Sequence, residues 1–178
     1  MRRDALRFIG SAVLVGFAAP VAAAARDSVE TFFMPFFGDL KAELEVARER
    51  RCRGIVLIYE MDGCPFCERL KRVALRLPEV RQYYHANFQI FRIDVRGSTA
   101  LTTFDGDEIT ESSFAIRQRV RATPTTAFHD LAGNEVTRLL GPPTDAAEFL
   151  MLGRYVAGEH YKSVPFAAFR QAQKREAR

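Results

Sequence analysis

The sequence predicts an α/β fold: a central four-stranded mixed sheet flanked by helices, with an extra helix at the N-terminus. Three observations lead there. Gly54 is followed by Ile55-Val56-Leu57-Ile58-Tyr59, a continuous apolar run whose lack of alternation marks a strand buried on both faces. Polar and apolar periodicity then reads helix, strand, helix, strand, helix, strand, strand, helix, and its strand-helix-strand opening calls for a parallel pair. Ala132-Gly133-Asn134 forms a turn too tight for anything but an antiparallel link between the last two strands.

The elements follow in chain order. Residues 1–25 read as a cleaved signal peptide: Met1–Arg7 carry three arginines, Phe8–Ala19 are apolar but for Gly10, Ser11 and Gly16, and Ala22–Ala25 offer small side chains for cleavage. The alternative, a membrane anchor, meets an apolar run shorter than the roughly 20 residues a bilayer needs, so membrane contact is expected only through an uncleaved signal. Arg2-Arg3 followed by Leu6 leaves general and twin-arginine export both open. Residues 26–178 then form one domain. Residues 28–50 read as helix, with Phe32, Phe33, Phe36 and Phe37 on one stripe, a bend at Pro35, and Leu40, Leu44 and Ala47 at helical spacing. After the apolar strand, Cys64 to Leu77 is a helix stopped by Pro78. Pro78 to Ala86 is a short helix, and Phe88 to Val95 the second strand. Residues 96–111 read as loop, and Ser112 or Ser113 caps a helix running to Val120. Thr125–His129 and Glu135–Leu140 are the hairpin strands. Thr144 or Asp145 caps a helix to about Val156, and a last helix covers Pro165 to Lys174.

Composition limits the function. With 178 residues, 48% of them apolar, and 11 Gly and 8 Pro, the chain can build one core without disulfide staples, and disordered or collagen-like classes are disfavoured. Removing residues 1–25 lowers the charge from +4 to +2, with 23 basic and 21 acidic residues remaining. The densest local basic run, Arg48 to Arg53, is short, sits beside an acidic helix and reads as a solvated helix end, so no nucleic-acid partner is expected.

Cys64-Pro65-Phe66-Cys67 carries the chemistry. It lies between the most strand-like run and a helix, and a cysteine at a helix start meets unpaired N–H groups and the positive end of the dipole, which favour thiolate. Cys64 is therefore expected to be the acidic, exposed nucleophile. Pro65 suits the first helical position. Cys67, one turn inward on the same face, is expected to be the resolving thiol. Attack by Cys64 on a substrate disulfide, followed by attack of Cys67 on Cys64, reduces the substrate and oxidises the pair; the reverse oxidises it. No cofactor is needed beyond the redox-active disulfide Cys64–Cys67. Other readings of the motif are weaker. A zinc site needs four ligands, and Cys52 with His85, His129 and His160 shows no paired spacing. Haem attachment needs His where Glu68 stands. A purely structural disulfide over so short a loop stabilises little.

The cysteine motif after an apolar strand, together with Thr123-Pro124-Thr125 before another, resembles the thioredoxin superfamily over roughly residues 40–157. The segments Glu60–Cys67, Pro78–Val80, Arg121–Thr125 and Tyr155–Phe166 are similar to exported thioredoxin-related proteins of sulfur-oxidation (Sox) gene clusters. The resemblance implies that Pro124 is cis and faces the cysteines, and that the Thr123 backbone pairs with substrate; a proline that merely opens a strand is the alternative. It implies a periplasmic thiol-disulfide oxidoreductase that reduces protein disulfides, possible substrates being a sulfur carrier or an apo-cytochrome, with electrons from a membrane thiol transporter. An oxidase or isomerase of the same fold, or a non-catalytic binding module, remains open beside it.

Two departures stand out. Ile58 occupies the position of the buried acid that relays protons in thioredoxin, so Glu60 and Asp62 become the nearest candidates for that role, read either as relays or as solvated charges. Gly63 stands where thioredoxin has Trp. Cys52 is either an idle buried thiol or a link between two chains. The Phe32–Phe37 stripe is either cover for the core or a partner surface.

Overall fold

The computed structural model describes residues 29–176, and the signal expected over residues 1–25 lies outside them. Its centre is β1 (Gly54–Glu60), every residue of which is buried. β1 pairs in parallel with β2 (Phe88–Asp94) and antiparallel with β5 (Thr125–His129), which pairs antiparallel with β6 (Glu135–Leu140). The sheet order is β2-β1-β5-β6. Alternation along β1 divides the core in two. Val56 and Ile58 face α2 (Pro65–Leu70), α3 (Pro78–Asn87) and α5 (Ala146–Ala157), while Ile55, Leu57 and Tyr59 face α1 (Leu40–Glu49) and α4 (Glu111–Arg117). Each fully buried Leu, Ile or Phe in these clusters contributes about 1.5–3 kcal/mol. An added Cβ at Gly54 would meet the His129 carbonyl oxygen at 2.1 Å, so the close approach of β1 and β5 requires glycine there.

The mixed α/β sheet is as the sequence predicts, and four local expectations are corrected. Residues 28–50 are not one bent helix. A 3₁₀ turn over Val29–Phe32 leads to an extended stretch, and α1 begins only at Leu40. Pro35 lacks an N–H, and the Met34 N–H donates to the Ile90 carbonyl at the exposed edge of β2, which competes successfully with helical bonding. Residues 96–111 are not all loop: β3 (Ala100–Thr102) and β4 (Glu108–Thr110) form a small antiparallel pair, three residues each and too short for periodicity to reveal. The cap of α4 is Thr110, whose hydroxyl oxygen accepts from the Ser113 N–H at 3.2 Å, rather than either serine. The helix after Cys64 continues beyond α2 as a π-helical stretch, Lys71–Leu75, with the Arg76 N–H bonded to the Lys71 carbonyl five residues back. Asp145 caps α5, and α6 (Phe166–Glu176) closes the described chain against Tyr155.

Candidate active site

β1 delivers the chain to Met61-Asp62-Gly63 at its carboxyl end. Gly63 has φ +72°, a left-handed conformation that a tryptophan would adopt only with strain, so the residue found in thioredoxin is replaced for a backbone reason. Cys64 follows in extended conformation as the N-cap of α2, and Pro65 occupies the first helical turn. The cap acceptor is the sulfur itself: the Cys67 N–H donates to Cys64 Sγ at 3.2 Å. The Thr123 hydroxyl donates to the same sulfur at 3.3 Å, and in the thiol form Cys64 donates to the Thr123 carbonyl at 3.5 Å. The Thr123–Pro124 peptide is cis.

These contacts fix the acidity of Cys64. Burial alone would raise its pKa, but donation from the Cys67 thiol, the Thr123 hydroxyl and the backbone N–H groups of Cys67 and Phe66 outweighs it and holds the thiol below the usual value of 9.0. Cys67 goes the other way. Burial, then its hydrogen bond to Cys64, pushes it up to about 12, against a weaker pull from the Met61 backbone. The pair is thus an acidified thiol backed by a protonated donor. One expectation fails: Cys64 is only 4% exposed, not an open surface thiol. The donors that acidify it also cover it, and Phe66 beside it is 60% exposed instead.

The two acids named from sequence separate. Asp62 is exposed and makes no hydrogen bond or ion pair among the described residues. Glu60, read beside it as a solvated turn charge, is buried at 6% exposure. It is the last residue of β1, and the partners that allow its burial come from elsewhere. Arg92 Nε lies 2.8 Å from one carboxylate oxygen and Lys71 Nζ 3.6 Å from the other. Among the described residues neither buried atom Glu60 Oε2 nor Arg92 Nε has an aligned hydrogen-bond partner, so charge rather than directed bonding holds the group. Burial raises the Glu60 pKa, with Lys71 and Arg92 pulling against it. Lys71 stands four residues after Cys67, on the same helix face, and Met61, next to Glu60, contacts the Cys67 sulfur through its backbone. Ile58 is fully buried with Leu70 and Ala74, so the ground beneath the motif is apolar where thioredoxin has an acid.

Cys52 is buried at 6% within the α1-facing core, which favours the idle thiol over an interchain link. The phenylalanines divide: Phe32 is fully buried, Phe36 stacks on Phe91 at 4.8 Å, Phe33 lies under the Arg92 guanidinium at 4.6 Å, and Phe37 is 93% exposed. They cover the β2 edge without forming a helical stripe. Sequence reasoning missed the Thr123 hydroxyl, having assigned that residue a backbone role only, and missed Lys71 and Arg92 as the partners of Glu60.

The model of the thioredoxin-like domain family matches residues 40–157. Among solved structures the chain is similar to a thioredoxin-fold protein from Helicobacter pylori, at 16% identity and TM-score 0.68, with 84% of this chain and 96% of that chain covered. It is also similar to a DsbH oxidoreductase, at 15% identity and TM-score 0.55, with 83% and 95% covered. Likeness at such identities establishes the fold. No curated protein matches the chain significantly.

Proposed function

Since the chain belongs to the thioredoxin-like domain family, we propose that it is a thiol-disulfide oxidoreductase that reduces protein disulfides. The observation that carries this reading is the opposed acidity of two sulfurs one helical turn apart: Cys64 lowered, Cys67 raised. In the reaction, the Cys64 thiolate attacks one sulfur of a substrate disulfide. The S–S bond breaks, its electron pair leaves on the other sulfur, and a Cys64–substrate disulfide forms. Cys67, losing its proton as it attacks, then displaces the second substrate thiolate. Cys64–Cys67 is left as the disulfide, two electrons having passed to the substrate.

Cys67 must be deprotonated at that moment despite a pKa near 12. We assign that proton to Glu60, through water, because this buried acid adjoins Met61, whose backbone touches the Cys67 sulfur, and is paired with Lys71; exposed Asp62 is left as a solvated charge. Thr123 offers its backbone to the substrate chain while its hydroxyl holds the thiolate, and Pro124, without an N–H, leaves the space beside the sulfur to the incoming disulfide. Pro65 and Phe66 support the turn and its rim. The pair needs re-reduction after each cycle, and we assign that to a membrane thiol transporter, with residues 1–25 directing export to the periplasm. Service to sulfur oxidation or cytochrome maturation rests on the sequence similarity described above.

Insulin reduction driven by dithiothreitol tests the activity: the protein should accelerate it and Cys64→Ala should abolish the acceleration, whereas undiminished turnover in that variant would refute the reading. Titration against glutathione tests direction. A potential near the roughly −270 mV of thioredoxin agrees with reduction, and one near the roughly −120 mV of a dedicated oxidant would reassign the protein to disulfide formation. Cys67→Ser should trap the natural substrate as a mixed disulfide.

A further inference from the structure

A groove of about 360 Å³ runs from Met61 and Thr123 between the end of β2 and α4. It begins one side chain from the reactive sulfur, because Thr123 both lines it and donates to Cys64. Ile116 and Val120 are among the side chains that form its apolar wall, and Ile116 is 77% exposed, a large apolar side chain left in water by a helix whose other face is buried. Arg96 and Arg121 supply the charge, and among the described residues no acidic one lines the groove.

Both guanidiniums are exposed, and among the described residues neither side chain makes a hydrogen bond or an ion pair. Arg117 on the same helix shows the contrast, paired with Asp107, as Arg138 is with Glu135 and Arg170 with Glu148. Two unpaired cations flanking an exposed apolar wall beside a nucleophilic sulfur form a surface complementary to one kind of chain segment.

We infer that the preferred substrate of Cys64 is an extended protein segment whose disulfide-bonded cysteine is flanked by an acidic residue, held by Arg96 and Arg121, and by an apolar residue, laid on Ile116 and Val120. This inference rests on the proposed disulfide reduction and adds the substrate class to it. Rim charges act mainly on the encounter rate and lose their effect as salt screens them.

The test uses three peptides with leucine on one side of a single cysteine, identical except that the residue on its other side is aspartate, glutamine or lysine, each with that cysteine linked to thionitrobenzoate. The pre-reduced protein attacks the peptide sulfur, thionitrobenzoate leaves with the electron pair and is read by its colour, and Cys67 then releases the peptide thiol. Each rate is divided by the same protein's rate on hydroxyethyl disulfide, which is uncharged. At low ionic strength the aspartate peptide should react about tenfold faster than the lysine peptide, the order should invert in the double variant Arg96→Glu/Arg121→Glu, and the difference should shrink in 0.5 M salt. Equal rates for the three peptides, or an unchanged order in the double variant, would overturn the inference. Fluorescence anisotropy of the same peptides on Cys64→Ser reads the groove without chemistry. An acidic preference there, with no reduction of hydroxyethyl disulfide by the native protein, would sink the oxidoreductase reading and leave the groove assignment standing; binding indifferent to charge would remove the groove assignment.

Discussion

Two sets of donors to one sulfur decide what Cys64 can do, and they come from different parts of the chain: the Cys67 thiol with the Cys67 and Phe66 N–H groups from its own helix, and the Thr123 hydroxyl from across the site. Replacing Thr123 by Val removes the second while keeping shape and the backbone carbonyl. A hydrogen bond to a charged group contributes about 1.5–3 kcal/mol and one pKa unit corresponds to about 1.4 kcal/mol, so Thr123→Val should raise the Cys64 pKa by about one to two units, measured from the pH dependence of alkylation. Glu60→Gln should slow the second step, release of substrate by Cys67, while leaving attack by Cys64 on a small disulfide nearly unchanged; stopped-flow detection of the mixed disulfide separates the two. At this scale the sequence shows Cys64, Pro65, Cys67 and Pro124 clearly, because each stands in a short motif whose spacing has a mechanical meaning. The burial of Glu60 was not legible, since it depends on Arg92 and Lys71, which lie 32 and 11 positions further along the chain, and no local pattern announces a distant counter-charge.

Elements with a long apolar signature were readable and those fixed by tertiary edges were not. β1 and α5 bury their faces as their patterns require. The segment before α1 does not, because its preference for helix loses to pairing with the β2 edge and to insertion of Phe32 beside Tyr84 and His85. That insertion makes the segment part of the domain's core. Phe32→Ala should therefore cost about 3–5 kcal/mol, read by denaturant unfolding as a lower midpoint with little change in slope; a cost below about 0.5 kcal/mol, the size of an ordinary surface substitution, would show the segment to be a dispensable cover.

Over the whole molecule, the two-sided sheet leaves a titratable side chain in an apolar layer. His129 on β5 is 1% exposed, packs tilted against Phe104 with ring centroids 4.8 Å apart, and among the described residues has no hydrogen-bond partner at either ring nitrogen. Burial first, then the nearby Arg138, drives its pKa down to about 3 from 6.5, with Asp130 pulling weakly the other way. The unfolded chain thus binds a proton that the folded one refuses between about pH 6.5 and 3, so stability is full above that window and falls as pH drops through it. His129→Phe keeps an aromatic ring against Phe104 and removes the buried polar atoms. It should be neutral or stabilising at pH 7 and flatten the acid loss in thermal unfolding between pH 6.5 and 4, whereas an unchanged acid slope would show that other groups carry it.

The central claim is that Cys64 is an acidic thiol backed by a protonated Cys67, and iodoacetamide alkylation of the reduced protein from pH 4 to 10, with the labelled cysteine located by mass spectrometry, tests it most directly. The account predicts label on Cys64, with a midpoint below 9.0, and a Cys67 that stays unlabelled across the range. A midpoint at or above that of free cysteine, or faster labelling of Cys67, would contradict it.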